Sequence, residues 1–167
     1  ASKSRRAMSL GLLAEVSFGG AQGDEDRVKH LRKYAELGAD LDYPDALGRT
    51  HLYMAAILGH TGSLDFLLSQ GVNPNLADSI ETWRQAPLHV SVQWNLTPCV
   101  QKLMAYEGVS GSDPVPGTDP CILNEAGKTP YMIARGELQG VLRPFPSWAD
   151  LEGALEGPAD SPEEKCA

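Results

Sequence analysis

Between residues 50 and 71, apolar side chains recur three and four positions apart in two short blocks separated by a glycine. Such spacing places them on one face of an α-helix, whereas strict alternation would indicate a strand. Because each block is short and carries one apolar stripe, neither helix buries its face alone, and the pattern predicts a helix pair that needs neighbours. The stripes are Leu52, Ala55 and Ala56 in the first block and Leu64, Leu67 and Leu68 in the second.

The ends of both predicted helices carry chemical signals. Thr50 offers an N-cap oxygen to the free amides at the start of the first helix. Gly59 and Gly71 follow the two stripes, where glycine readily adopts the left-handed conformation that ends a helix. The sequence therefore predicts one helix–turn–helix unit between Asp45 and Asn75.

This unit resembles an ankyrin repeat. The T-P-L-H signature of that family reads Thr50-His51-Leu52-Tyr53 here, so its proline and its histidine are both replaced. The resemblance implies an all-α ankyrin-repeat solenoid, in which helix–turn–helix pairs are joined by β-hairpin-like turns. The matching positions are Gly48, Thr50, Leu52, Ala55, Ala56, Gly59, His60, Leu67, Leu68, Gly71 and Asn75.

A related pattern precedes the central unit. Residues 24–37 predict a helix whose first turn is acidic, as the helix dipole favours. Gly38 closes this helix 33 residues before Gly71, which is the ankyrin period. An apolar run over residues 9–18 predicts the first helix of the same unit. The expected inward residues of the 24–37 helix are Val28, Leu31, Tyr34 and Ala35, with Leu37 left open.

The third unit contains Ala86-Pro87-Leu88-His89, the closest copy of the family signature in the chain. Its first helix is predicted over 87–94, and its second from Thr97, as the N-cap, to a closing Gly108. The closing glycine comes 37 residues after the previous one, which indicates an insertion. Residues 109–123 are rich in Gly, Pro, Ser and Asp, and predict a long turn without a helix.

Residues 124–134 restate the opening of a repeat, but Gly136, Gly140 and Pro144 leave room for only about two turns of second helix. A degraded terminal unit is typical of solenoids. The predicted organisation is a basic flexible tail over 1–7, a repeat domain over 8–143 and a Pro- and acid-rich tail over 144–167, with a short helix over 147–156. The repeat units span about 8–44, 45–77, 78–123 and 124–143.

The amino-acid composition limits the classes of partner and the compartment that we expect. The formal charge of −8 and scattered Lys and Arg argue against a nucleic-acid binder, since affinity for phosphates needs clustered cations. No window approaches the roughly 18 apolar residues of a membrane span, so direct membrane insertion is not expected. The three cysteines, Cys99, Cys121 and Cys166, contain no C-x-x-C pair. They predict free thiols in a reducing, intracellular compartment, with the cytoplasm ahead of a plastid or mitochondrion. The basic, serine-bearing start fits either a transit-peptide remnant or a flexible tail.

The search for catalytic chemistry finds no phosphate-binding glycine loop, no H-E-x-x-H and no G-x-S-x-G. His60 and His89 stand where the ankyrin family uses histidine for backbone and inter-repeat hydrogen bonds. His30 and His51 have no Cys or carboxylate at ligand spacing. Cys99 lies early in a helix without an identifiable base. We therefore expect no catalytic residues, no cofactor and no metal.

The main functional candidates are apolar residues at positions that face water in an ankyrin unit. The resemblance implies that the hairpin tip and the far end of the first helix line a concave surface. An apolar stripe there marks a protein contact site, unless inserted turns or the tail fold back and cover it. Arg and Lys of successive hairpins add a basic rim. This candidate stripe comprises Leu47, Arg49, Ile57, Leu58, Ile80, Trp83, Arg84, Gln93, Trp94 and Lys128.

The sequence therefore predicts a non-enzymatic module that binds a partner protein on its concave surface. The alternative is a small structural subunit integrated permanently in a large, organellar or other, multiprotein complex. Insertions, irregular repeats and a Pro-rich tail suit this second hypothesis, because segments that order against a partner need no core of their own. A third hypothesis, an enzyme, would need a pocket with converging titratable groups.

Overall fold

The computed structural model describes residues 7, 23–111 and 113–142. The helices predicted over 9–18 and 147–156 lie outside these residues. The elements in chain order are α1 (Asp24–Glu36), α2 (His51–Leu58), α3 (Thr61–Ser69), a 3-10 turn (Ile80–Thr82), α4 (Pro87–Gln93), α5 (Thr97–Met104), β1 (Gly108–Val109), β2 (Val115–Pro116), α6 (Pro130–Ile133) and α7 (Glu137–Val141).

The helices form two stacked layers. Helices α2, α4 and α6 pack in succession, and α1, α3, α5 and α7 pack in succession beside them. The pairs α2–α3 and α4–α5 pack together within single units, and their apolar stripes meet in one continuous core. The predicted all-α solenoid of helix pairs is confirmed.

The central unit has the caps that the sequence predicts. The Thr50 hydroxyl accepts a hydrogen bond from the Tyr53 amide at 3.2 Å, at the start of α2. Gly59 and Gly71 have φ of 72° and 73°, in the left-handed region expected after each helix. Both apolar stripes are buried, as the periodicity predicts: Leu52, Ala55, Ala56, Leu64, Leu67 and Leu68.

Helix α1 buries Leu31 fully, whereas Leu37, the residue left open, is 56% exposed. The acidic first turn does more than complement its own helix dipole. The Asp24 carboxylate accepts hydrogen bonds from the Gly62 amide (2.6 Å), the Ser63 amide (2.9 Å) and the Ser63 hydroxyl (2.6 Å). Because α3 has no side-chain cap from its own N-cap residue, α1 supplies the cap of the next unit.

The third unit departs from the predicted boundaries. Thr97 is the first residue of α5, and Leu96 occupies the N-cap position without a side-chain hydrogen bond, so the predicted N-cap is wrong by one residue. Helix α5 ends at Met104, and Gly108 lies in β1 rather than closing the helix. An added Cβ on Gly108, whose φ is 90°, would lie 2.3 Å from the Val115 carbonyl oxygen. The glycine is therefore required by a close backbone approach within the β-ribbon.

This two-stranded antiparallel ribbon pairs Gly108 with Pro116 within the insertion, where the sequence predicts only a turn. The described residues of 109–123 contain no helix, as predicted. Asn75 anchors the insertion, because its amide nitrogen donates to the Gly117 carbonyl at 3.0 Å and its amide oxygen accepts from the Asp119 amide at 2.7 Å. The segment is thereby tied to the preceding hairpin.

The fourth unit is shortened. Helix α6 has four residues and α7 has five, against seven or more in the helices of the central and third units. The Thr129 hydroxyl accepts from the Met132 amide at 3.3 Å, so the helix still begins with its family cap. Ala134 then takes an extended conformation, and the helix stops after one turn.

The cysteine expectation needs a correction. Cys99 is buried and free, but Cys121 is disulfide-bonded, so the prediction that all three cysteines are free thiols is wrong. Spacing in sequence carries little information on which thiols meet in a folded chain. No helix among the described residues is long and apolar enough to cross a membrane.

Candidate functional site

His89 links two units as the family resemblance implies. Its Nδ1 accepts a hydrogen bond from the Ala86 amide at 3.2 Å, and its Nε2 donates to the Lys128 carbonyl of the next hairpin at 3.0 Å. Burial lowers the pKa of His89, although the hydrogen bond to Lys128 opposes this shift. A neutral ring with one donor and one acceptor fits this geometry.

Tyr53 performs the corresponding task in the central unit. Its hydroxyl donates to the buried Asp78 carboxylate at 2.9 Å, and the same carboxylate accepts from the Gln85 amide at 2.6 Å. Burial, followed by the hydrogen bond to Asp78, raises the pKa of Tyr53. The replacement of the signature histidine therefore keeps an inter-unit hydrogen bond, now between two side chains.

His51 has no such task. It is 2% exposed, and neither ring nitrogen has a hydrogen-bond partner among the described residues. Burial lowers the pKa of His51 to about 4, so the ring is neutral at pH 7. In the part of the chain that the structure describes, no three His, Cys, Asp or Glu side chains lie close enough together to hold a metal ion.

The helix-end members of the candidate stripe differ in exposure. Leu58 is 44% exposed and Trp94 is 61% exposed, at equivalent positions in successive units. Gln93 is exposed, and its side-chain oxygen accepts from the Gln85 amide group at 2.9 Å. Ile57 is half-buried and packs against the core, so it offers less surface than its neighbour.

The first hairpin contributes little free surface to the stripe. Leu47 is half-buried, and its carbonyl accepts from the Ser79 amide at 2.8 Å. The Arg49 guanidinium donates to the Asp45 carboxylate at 2.8 Å, so its charge is partly neutralised within its own turn. Leu47 therefore connects neighbouring hairpins, and Arg49 stabilises its own turn, more than either presents a group to solvent.

The next hairpin, which opens the third unit, presents an aromatic residue and a cation side by side. Trp83 is 64% exposed and Arg84 is exposed, and both are left-handed, with φ of 78° and 48°. Such a conformation costs of order 1–3 kcal/mol for a bulky residue. Hydrogen bonds hold it on both sides, from the Arg84 amide to Ser79 and from the Glu125 amide to the Trp83 carbonyl. Ile80 begins the 3-10 turn before them.

A cleft of about 730 Å³ lies between the third and fourth units and includes two stripe members, Gln93 and Lys128. Trp94 follows Gln93 directly in the chain. Leu47 and Arg49 belong to the hairpin of the central unit and do not line the cleft. The sequence reasoning missed the other lining residues. For Asn95 the sequence does contain a signal, because asparagine can replace the glycine that ends a helix in the left-handed conformation. Asn95 has this conformation, with a φ of 55°. Those other lining residues are Val92, Asn95, Thr97, Met132, Ile133, Ala134, Arg135, Gly136 and Glu137.

Helix pairs joined by hairpin-like turns and stacked in two layers define a repeat solenoid. A family model described as ankyrin repeats, in three copies, matches residues 18–115, which is more than half of the chain. The chain belongs to the ankyrin-repeat family. Members of this family generally mediate protein–protein interaction, and the fold is typically a non-enzymatic interaction module.

This chain is similar to several known proteins, among them the following two. The crystal structure of the ankyrin repeat domain of Bcl-3, a unique member of the IkappaB protein family, superimposes with a TM-score of 0.59 at 25% identity. That match covers 72% of this chain and 50% of the Bcl-3 chain. An L-asparaginase from Dirofilaria immitis is 39% identical over 63 residues, which are 38% of this chain and 10% of that protein. The chain thus spans half or less of each.

Proposed function

We propose that this chain is a non-enzymatic module that binds a partner protein through the exposed part of the candidate stripe, at the third and fourth units. The observation that carries the proposal is the pair of tryptophans, Trp83 and Trp94, which are 64% and 61% exposed. Folding gains little from leaving two such rings in water, whereas tryptophan is enriched among residues that dominate binding energy. Arg84, beside the first ring, belongs to the same enriched class.

The proposal of a non-enzymatic role rests on what lines the cleft. Among the described lining residues, Glu137 is the one carboxylate, and no histidine, cysteine or serine accompanies it. General acid–base or nucleophilic chemistry needs two reactive groups within hydrogen-bond reach of each other. Lys128 and Thr97 also line the cleft, but among the described residues neither side chain forms a hydrogen bond or an ion pair with Glu137. The similarity to an L-asparaginase extends over only 10% of that enzyme, so it supports no transfer of activity.

The test begins with an unbiased library of random 16-residue peptides displayed on phage and selected on the immobilised full chain. Dissociation constants of the enriched peptides are then measured by fluorescence anisotropy for the wild type and for W83A/W94A. We expect the double variant to lose about 30-fold or more in affinity, the roughly 2 kcal/mol typical of a hot spot. Its melting temperature should stay close to wild type, because exposed side chains contribute within about 0.5 kcal/mol to stability.

The matched control is L37A/L123A, which removes two exposed apolar side chains, 56% and 58% exposed, from outside the stripe. This variant should bind the selected peptides as the wild type does. If W83A/W94A also binds them unchanged, the contact surface lies elsewhere and the proposal is refuted. Sedimentation of the purified chain addresses the permanent-subunit alternative, which predicts an unstable or aggregating isolated chain rather than a stable monomer.

A further inference from the structure

The cleft between the third and fourth units exists because α6 stops early. Helices α4 and α6 begin at equivalent positions, but α4 continues to Gln93 while α6 ends at Ile133. The turn of helix that would cover the far end of α4 is replaced by an extended Ala134 and a left-handed Gly136. A solenoid buries each helix face against the next unit, so the missing turn leaves part of α4 without a neighbour.

The chemistry of the cleft is mixed, with an apolar base and a polar margin. Val92 is buried and Ile133 half-buried, while Met132 is 38% exposed. Gln93 and Asn95 add exposed amide groups on the α4 side. Ligand sites commonly combine such apolar contact area with a few polar groups that fix orientation.

Two cations line the same cleft. Lys128 and Arg135 are both exposed, and neither forms an ion pair with any residue within 23–111 or 113–142. Glu137 is the one acid among the described lining residues. In a chain with a formal charge of −8, this is a local excess of positive charge. Such a patch attracts anionic groups and repels basic ones.

We infer that this cleft binds a linear, acidic segment of the partner protein. One carboxylate of the segment lies between Lys128 and Arg135, and a neighbouring apolar side chain packs on Met132 and towards Trp94. The guanidinium offers paired donors to a carboxylate, and the amides of the α4 side satisfy the peptide backbone. This inference rests on the proposed function and adds the chemical class of the partner.

The experiment uses Trp94 as a reporter. The variant W83F/W148F leaves Trp94 as the sole tryptophan of the full chain and keeps an aromatic ring at position 83. Fluorescence anisotropy with the phage-selected peptides first confirms that this variant still binds them as the wild type does. The probes are two matched pools of synthetic 12-residue peptides with the same Leu, Phe and Met positions. One pool carries Asp and Glu at the remaining positions, and the other carries Asn and Gln. We expect the acidic pool to shift Trp94 emission saturably and to bind at least about tenfold tighter than the amide pool, with the difference shrinking at high salt.

Charge-reversal and neutral variants then test whether Lys128 and Arg135 cause the preference for acidic peptides. In the same background, K128E/R135E should abolish the preference for the acidic pool, and K128Q/R135Q should reduce it. The control K29E/K33E makes the same change in net charge on exposed positions of α1 and should leave the preference intact. Circular dichroism melts check that each variant is folded.

Equal binding of the two pools, or an unchanged preference in K128E/R135E, overturns the inference. So does the absence of any emission change with the acidic pool. These failures are distinct from failure of the proposed function, because peptides selected without charge bias and lost in W83A/W94A would still support protein binding through the tryptophans. An acidic preference equally strong in K128E/R135E and K29E/K33E would place the recognition outside the cleft.

Discussion

At the residue scale, His51 is the clearest mismatch between this chain and its family. It occupies the first position of α2, where the third and fourth units carry Pro87 and Pro130. Its buried ring has no hydrogen-bond partner among the described residues, and such burial costs free energy because the ring loses its hydrogen bonds to water. The backbone would accept proline, since Thr50 has φ −93° and ψ 171°, the extended conformation that a residue before proline prefers.

We expect H51P to stabilise the protein by about 1 kcal/mol at pH 7, net of a small loss of packing. It should also flatten the dependence of stability on pH. The pKa of His51 is lowered from 6.5 to about 4, so between these values the unfolded chain takes up a proton that the folded chain does not. The free energy of unfolding therefore falls by up to about 3 kcal/mol as pH drops through this window, and H51P removes that fall.

The measurement is urea unfolding followed by circular dichroism at a series of pH values from 7 to 4. The reverse change in the third unit, P87H, is the matched control and should destabilise the protein and steepen its dependence on pH. An H51P variant with the same steep loss of stability as the wild type would show that other groups, and not His51, govern the acid response.

At the element scale, the start of α3 depends on a residue of another unit. The Asp24 carboxylate of α1 accepts three hydrogen bonds from Gly62 and Ser63, and lies 3.7 Å from the His60 ring. Burial alone would raise the pKa of Asp24, but the hydrogen bonds from Ser63 and Gly62 outweigh it and lower the pKa below the ordinary 3.8. The stabilisation is therefore present above about pH 4 and is lost as Asp24 is protonated in stronger acid.

Removing the Asp24 cap should lower the free energy of unfolding more than removing another charge from the same turn. We expect D24A to lower the free energy of unfolding at pH 7 by about 1–2 kcal/mol, because it leaves amides at the start of α3 without an acceptor. D26A removes a partly exposed acid that pairs with Lys29 in the same first turn, and should lower the free energy of unfolding by less than about 0.5 kcal/mol. Equal losses in the two variants, measured by urea unfolding, would mean that only the charge of the turn matters.

At the scale of the whole molecule, stability depends on how each unit is joined to the next. The buried side chains of Tyr53 and His89 each form a hydrogen bond to the next unit, from Tyr53 to Asp78 and from His89 to the Lys128 carbonyl. In solenoids the free energy of the interface between neighbouring units sets how cooperatively they unfold. The first of these bonds joins the central unit to the third, so it lies in the middle of the described chain.

We expect Y53F to lower the free energy of unfolding by about 1–3 kcal/mol, because the buried Asp78 carboxylate loses a donor. Its thermal transition should also broaden, as the units on either side unfold less cooperatively. Y131F removes a half-buried hydroxyl without a hydrogen bond among the described residues, and should change neither quantity. Differential scanning calorimetry measures both, and a Y53F transition as sharp and as high as that of Y131F would contradict the interface role.

Much of this architecture follows from local sequence. The apolar stripes of α2 and α3, the Thr50 cap and the closing glycines depend on neighbours within one or two turns, so periodicity and capping rules predict them. The end of α5 and the β-ribbon at Gly108 differ from the prediction, since they depend on a backbone approach between Gly108 and Val115 that spacing does not encode. The cleft was not predicted either, because it forms where α6 ends too early to cover the far end of α4, and this depends on how the two helices pack.

The sequence by itself determined that this chain is a stack of helix pairs, because helical period, caps and the 33-residue spacing are properties of nearby residues. Only the tertiary structure decided which side chains of one unit form hydrogen bonds with another unit. Asp24 caps a helix that begins 37 positions later, Tyr53 donates a hydrogen bond to Asp78, and His89 donates one to the Lys128 carbonyl. Such contacts join residues far apart in the chain, and their distances exist only once the helices have packed.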